Sequence, residues 1–416
     1  MNQLARPFFR ILPVLLLALP GHTVSASDAI ASRDVEDLMP PALQQAQTAV
    51  LGTPPPAAPS STVRDTVLTQ MGPVALRSHF TYRYLYGDGV PASPGRQLTT
   101  SIHDLAPEFL FDIGSHWMLD YTPTWRFYSD DAFHDKTDHS VRLTGGTAYE
   151  NWLLQFSERY AVSSPTLVET AAQTDQRTWA TAFNASGRFG SKWRLDTAIN
   201  YNERYSDVSP DSRDLSGSGW VNYQLSGGVN AALGLTGGTV NMSVGPDMTY
   251  VRPLARLNWQ LTNKTSFDLQ GGVEKRSFSS SGRSDTNNAI LNAALHYAPV
   301  ETTRITLQAD RDVSVSYFAS QITKNTRLSA ALDQRLLEKF QVRVRVGREK
   351  SSYMATTATA FAGRDDTHTT FDARLSSKLL LRGTLAFVYR HGKNDSSLAG
   401  YTFTSDQYGV ELGFRF

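Results

Sequence analysis

The chain ends on Gln407-Tyr408-Gly409-Val410-Glu411-Leu412-Gly413-Phe414-Arg415-Phe416. Tyr408, Val410, Leu412, Phe414 and Phe416 alternate with Gly409, Glu411, Gly413 and Arg415, the period of two that gives a strand one apolar, aromatic face and one charged or open face. A half-buried strand of a soluble sheet would show the same pattern. Its recurrence along nearly the whole chain, with aromatic residues near the segment ends, describes a transmembrane antiparallel β-barrel instead.

Working back from that stretch, the chain after Gly72 resolves into segments of roughly 9 to 14 residues, the length a tilted strand needs to cross hydrocarbon. In the first, Val74 to Tyr86, Leu76, Phe80, Tyr82, Tyr84 and Tyr86 oppose Arg77, His79, Thr81 and Arg83. In the third, Trp117 to Tyr128, Trp117, Leu119, Tyr121, Trp125 and Phe127 face outward. Phe340, Val342, Val344 and Val346 likewise oppose Gln341, Arg343 and Arg345. A slip of one residue would turn these charges into lipid, so the register is strongly specified.

Connections alternate in length. Short turns are expected at Gly114–His116, Glu150-Asn151, Gly190–Lys192, Thr262–Lys264 and Ser377-Lys378. Longer polar loops are expected at Gly87 to Thr99, Ser129 to Lys136, Ser163 to Thr174, Ser279 to Asp285, Ser351 to Arg364 and Gly392 to Phe403. Short turns on one side and long loops on the other fit periplasmic turns against extracellular loops, and two chain ends on the short side require an even strand count. The count is about 18, with 16 as the alternative, because Leu215 to Met248 is Gly-rich and its strands are the weakest. Trp117, Trp152, Trp193 and Trp259 lie next to short turns, while Tyr84, Tyr86, Tyr160, Tyr205, Tyr317 and Tyr389 lie near long loops, which gives two interfacial belts.

Residues 1–26 combine Arg6 and Arg10, an apolar run from Ile11 to Leu19 and the small residues Val24-Ser25-Ala26, the layout of a secretory signal peptide. Residues 27–71 form a Pro-rich lead expected to be largely disordered, with Thr53-Pro-Pro-Pro-Ala-Ala-Pro59 at its centre and a segment, Asp34 to Ala49, that could form a short helix. Residues 72–416 make the barrel. No later segment reaches roughly 18 consecutive apolar residues, so no transmembrane helix is expected, and the absence of cysteine excludes disulfides, thiolate metal sites and a lipid anchor on cysteine. Arg6 and Arg10 leave with the signal, taking the formal charge from +1 to −1, so bulk charge names no partner. The negative mean hydropathy suits a barrel, in which each strand shows lipid only half of its residues.

The closing hairpin, Tyr389-Arg-His-Gly-Lys-Asn-Asp-Ser-Ser397 followed by Tyr401 to Phe416, resembles the end of the putative beta-barrel porin family, whose members are often associated with exopolysaccharide production and export. The final strand, with Tyr408, Val410, Leu412, Phe414 and Phe416, resembles the assembly signal of bacterial outer-membrane barrels. The resemblance implies residence in the bacterial outer membrane. It also implies outer-membrane lipid and the barrel assembly machinery as partners, and it raises exopolysaccharide or its export proteins as further ones.

No enzyme constellation is present. The nine histidines include none in HxxxH or HExxH spacing, and there is no GxSxG motif or phosphate loop. His79, His103, His296 and His368 are expected on the lumen face as ordinary polar residues. The glycine pairs 145–146, 237–238 and 271–272 read as bends or close packing. No catalytic, cofactor or metal site and no nucleic-acid partner is expected.

Alternation also turns twenty arginines inward. Ten of them, Arg188, Arg194, Arg256, Arg304, Arg335, Arg343, Arg345, Arg374, Arg382 and Arg415, lie within a few residues of short turns or the chain end and are expected to line the pore near its periplasmic mouth. Inward acids, among them Glu108, Asp120, Asp196, Asp268, Glu274, Asp310, Asp312, Asp333, Asp372 and Glu411, are about half as many. Two readings stay open: cross-strand pairs that satisfy a polar wall, or an excess that attracts anionic or saccharide solutes. The expected function is a porin-like channel that passes or helps export such solutes; the alternative is a plugged barrel acting as a scaffold for a surface polysaccharide assembly.

Overall fold

The computed structural model describes residues 68–279, 284–357, 363–379 and 382–416. The expected signal peptide and almost all of the expected lead, including Asp34 to Ala49, lie outside the described residues.

Eighteen strands form the wall: β1 Val74–Ser93, β2 Arg96–Ile113, β3 Trp117–Tyr128, β4 Lys136–Tyr149, β5 Trp152–Ser163, β6 Gln176–Phe189, β7 Trp193–Ser206, β8 Ser212–Ser226, β9 Val229–Met242, β10 Met248–Thr262, β11 Thr265–Phe278, β12 Thr286–Val300, β13 Thr303–Val315, β14 Gln321–Leu336, β15 Phe340–Ala355, β16 Asp365–Leu379, β17 Gly383–Ser396 and β18 Phe403–Arg415. Each pairs antiparallel with its sequence neighbours, and β18 returns to β1 from His79↔Arg415 to Asp88↔Asp406, closing the barrel. A three-residue strand, Thr69–Met71, pairs with Val74–Leu76 on that same edge of β1, just beyond the point where the Phe416 amide donates to the Ser78 carbonyl at 3.2 Å. The edge that a short β18 would expose is thereby covered.

The Gly-rich segment, which left the count between 16 and 18, supplies β8 and β9 around a Gly227-Gly228 turn. Glycines there make room for aromatic side chains. A Cβ on Gly234 would come within 2.3 Å of the Trp220 ring, and one on Gly238 within 2.6 Å of Tyr250.

The concave face is fixed by one contact. Arg256 on β10 reaches Asp196 on β7 at 3.1 Å, past two intervening strands, which only side chains on the inner face can do. Cross-strand partners share a face, so the ladders carry that assignment around the wall. Trp117, Trp125, Phe127, Leu233, Leu307, Leu328, Phe387, Leu412 and Phe414 fall on the opposite face and are exposed, forming an apolar outer belt.

Several expectations are corrected. Ser377 and Lys378 are not a turn but pair with Leu385 and Thr384, and the pairing runs on to Leu379↔Gly383. Gly87 to Thr99 is mostly strand: β1 and β2 continue as a hairpin with register shifts at Gly87/Val90 and Pro91/Ser93. Gly89, at φ +70, sits where a Cβ would meet the Thr404 carbonyl oxygen at 2.0 Å, so glycine and proline mark bulges here rather than a loop. β15 and β17 likewise run on to Ala355 and Ser396. Beyond the apolar belt both faces of a strand are polar, and alternation no longer marks it.

His103 faces outward between Tyr82 and Tyr84, with its Nδ1 2.9 Å from the Tyr82 hydroxyl. The inward acids are also more numerous than expected. Asp104, Asp112, Asp138, Asp214, Glu349 and Asp366 bond to inward residues.

Candidate functional site

The inner wall is built of charge pairs. Asp104 on β2 accepts from Arg83 Nε at 3.0 Å and from Arg126 Nε at 2.7 Å, and all three residues are buried. Asp196 accepts from Ser186, from Asn222 Nδ2 at 2.8 Å and from Arg256. Glu274 takes Arg252 on one side and Arg276 on the other. Each arrangement satisfies a carboxylate with donors from two or more strands, so it fixes register as well as neutralising charge.

The ten arginines expected near the short-turn end divide accordingly. Arg194, Arg256, Arg343 and Arg374 form ion pairs with Asp196, Asp196, Asp333 and Glu411. Arg304 lies opposite Asp333, and Arg415 opposite His79. Arg188 lies beside Arg194 across the β6–β7 ladder. Arg335 is opposite Gln341 and Arg345 opposite Asp372. Arg382 is exposed in the final short turn.

At the long-loop end the lumen is crossed by chain. β12 and β13 pair only as far as Leu291↔Arg311. Beyond that row the ends of β13 and β14 lean inward, so that Val313 and Ile322 pack with Val240, Met248 and Tyr250 from the inner face of β9 and β10. Arg276 of the inner wall donates to the Val313 carbonyl at 3.4 Å. The loop after β5, Ser164 to Asp175, contains a small ribbon of Thr166–Leu167 paired with Ala172–Gln173 and meets the loop after β13 over the lumen.

Glu169 is the junction. Its carboxylate accepts from the Ser316 hydroxyl and from the Tyr317 amide at 2.7 Å, while its own carbonyl accepts from Arg364 Nη1 at 2.8 Å. Arg204 of β7 lies over the Tyr317 ring at 4.0 Å and donates to the Ser316 carbonyl at 3.0 Å. Arg364 is ion-paired to Asp366 and lies over Tyr401 at 3.6 Å, which ties in the loop after β17. The Gly95 amide donates to the Gly400 carbonyl and so adds the β1–β2 hairpin. Five connections from around the barrel therefore meet at one buried polar cluster. Burial pushes the Glu169 carboxyl above the ordinary carboxylate range, against the opposing pull of the Ser316 and Tyr317 hydrogen bonds and of the Arg204 and Arg364 charges.

None of Glu169, Ser316, Tyr317 or Arg364 was singled out from the sequence as a site. The available signal was Pro165-Thr-Leu-Val-Glu-Thr-Ala-Ala172, an apolar run with one acid inside a long loop, where a solvated connection would be polar. Among the described residues no group of three or more His or carboxylate side chains could hold a metal ion, and no helix is long and apolar enough to cross a membrane.

Residues 251–416, from β10 to the end, match the family model described as "Putative beta-barrel porin 2". The resemblance seen in the closing hairpin therefore holds, and it extends upstream across the second half of a porin-type barrel. Among solved structures, the chain is similar to OpdO of Pseudomonas aeruginosa at 12% identity and TM-score 0.45, covering 82% of this chain and 97% of that one. It is also similar to OccK2 (OpdF) of the same organism in complex with glucuronate, at 12% identity and TM-score 0.46, over 82% and 98%. For Pseudomonas aeruginosa OprD the values are 11% and 0.43, over 85% and 98%. At this level of similarity no solute or mechanism passes from them to this chain. No curated protein sequence matches it.

Proposed function

We propose that this protein is an outer-membrane channel of the porin type that passes, or helps export, anionic or saccharide solutes, in the setting of exopolysaccharide secretion. One observation carries the reading: eighteen strands close around an inner face rich in charged and polar side chains, a circumference wide enough for an aqueous lumen. The outer apolar belt supports the membrane, and the porin family model over residues 251–416 supports the outer membrane in particular. The short turns then face the periplasm and the long loops the outside.

In this reading Arg188, Arg335, Arg345 and Arg382, which form no ion pair among the described residues, are the pore-lining cations that bias the solute, whereas Arg194, Arg256, Arg343 and Arg374 are held by carboxylates. The export association rests on the family resemblance. The assembly machinery and polysaccharide export proteins are the partners it implies. The second reading, a plugged scaffold, is favoured by the loop cluster at Glu169, which crosses the extracellular mouth.

Liposomes containing the full-length mature chain test the proposal. Osmotic swelling in small uronic acids and neutral sugars, faster with the acids, is expected. Swelling no faster than protein-free liposomes with either class would favour the scaffold.

A further inference from the structure

We propose that the outer face of β13–β15 carries a binding site for a phosphate-bearing lipid of the outer leaflet, formed by Arg311, Arg348 and Lys350. The inference rests on the orientation given above, with the long loops outside.

On this sector the apolar belt has a defined upper limit. Leu307, Leu328, Leu332 and Val346 face outward and are exposed. Toward the long loops, β13 presents Arg311 four residues beyond Leu307, after Ala309, and β15 presents Arg348 and Lys350 two and four residues beyond Val346. The ladders place them together. Arg311 is opposite Thr326 on β14, Thr326 is opposite Lys350 on β15, and Arg348 lies between Leu328 and Thr369. Strand spacing of about 4.8 Å puts Arg311 and Lys350 roughly 10 Å apart at the backbone, and Arg348 lies about 7 Å from Lys350 along one strand. Long flexible side chains can converge from those positions on one headgroup while acyl chains lie along the apolar residues below.

These cations differ from those that line the lumen. Inside, many arginines pair with carboxylates across the strands; outside, Arg213 pairs with Glu203, Lys275 with Asp285 and Lys393 with Asp395. Arg311, Arg348 and Lys350 are exposed and have no carboxylate partner among the described residues. Their direct cross-strand neighbours on this face are the hydroxyls of Thr326, Thr367 and Thr369, and Asp365, diagonal to Lys350, accepts instead from Ser352. Three like charges at the edge of an apolar belt repel one another unless an anion lies among them, and a lipid phosphate is the anion present at that level. Arginine adds bidentate geometry suited to phosphate.

The test uses the folded full-length mature protein in detergent. Native mass spectrometry would count retained lipid after incubation with a bis-phosphorylated glycolipid, lipid A, or with its dephosphorylated form. Wild type is expected to retain the phosphorylated lipid at least tenfold better than the dephosphorylated one. Arg311→Gln/Arg348→Gln/Lys350→Gln should lose that preference, and Arg348→Gln alone should reduce it severalfold. Arg213→Gln/Lys275→Gln, which removes outward cations elsewhere, should keep it. Equal retention by wild type and the triple variant would overturn the site, as would full displacement by millimolar inorganic phosphate, which would mean that free phosphate suffices. Heat-modifiability and swelling activity of the same samples report the barrel and channel separately, so failure of the lipid site is distinguishable from failure of the channel reading.

Discussion

The Glu169 carboxylate accepts a hydrogen bond from the Tyr317 amide at 2.7 Å, although 148 residues and half the circumference of the barrel separate the two. The contact joins the loop after β5 to the loop after β13 across the long-loop end of the barrel. It makes the closure a specific, breakable device.

The first prediction concerns pH. Because burial raises the Glu169 carboxyl, the closed arrangement holds its proton more tightly than a released loop would. Closure is then fully supported below the ordinary carboxylate range and weakens as pH rises through the raised value. Open probability in planar bilayers should increase from pH 4 to pH 8, and Glu169→Gln should flatten that dependence. Closing on raising the pH would contradict the assignment.

The second concerns the lumen. Arg188→Gln/Arg335→Gln/Arg345→Gln removes cations that face no bonded carboxylate, so anion preference should fall while folding is kept. The effect should be largest at low salt, because the Debye length shrinks to about 3 Å at 1 M. Reversal potentials in a salt gradient measure it; an unchanged value would leave these arginines as wall residues only.

The third concerns stability. Asp104→Asn leaves the buried guanidiniums of Arg83 and Arg126 without their shared carboxylate, a loss of about 3 kcal/mol or more for a broken buried pair. Urea unfolding of the reconstituted barrel, followed by tryptophan fluorescence, should show a clearly lower midpoint. A midpoint within error of wild type would mean that water in the lumen replaces the lost partner.

The fourth concerns assembly. Phe414 and Phe416 meet edge to face at 5.0 Å on the outer face of β18. Deleting residues 414–416 removes both rings and the final pairings to β1, and should lower folded, heat-modifiable protein in the outer membrane while leaving signal cleavage unchanged. Wild-type levels would show the terminal phenylalanine to be incidental.

The wall was legible in the sequence because the apolar belt imposes strict alternation. Trp117 to Tyr128 coincides with β3, and Arg83, Arg126 and Arg256 could be turned inward from their neighbours alone. Legibility fails where the belt ends. His103 was turned the wrong way because a histidine between tyrosines at an interface looks polar on either face. Asp104 and Asp138 were overlooked in the wall, so the basic excess looked larger than it is. The closure was hidden for a different reason. Glu169, Ser316 and Arg364 come together only through loops that no local periodicity constrains, and their pairing follows from where eighteen strands deliver them.

The most direct test of the proposed channel, with its loops bridged at Glu169, is single-channel conductance of the full-length mature chain beside a variant with residues 166–173 replaced by a Gly-Ser linker of equal length. The predicted result is small or flickering conductance for wild type and steady conductance severalfold larger for the variant. No conductance from either protein, with both folded and inserted, would contradict the channel.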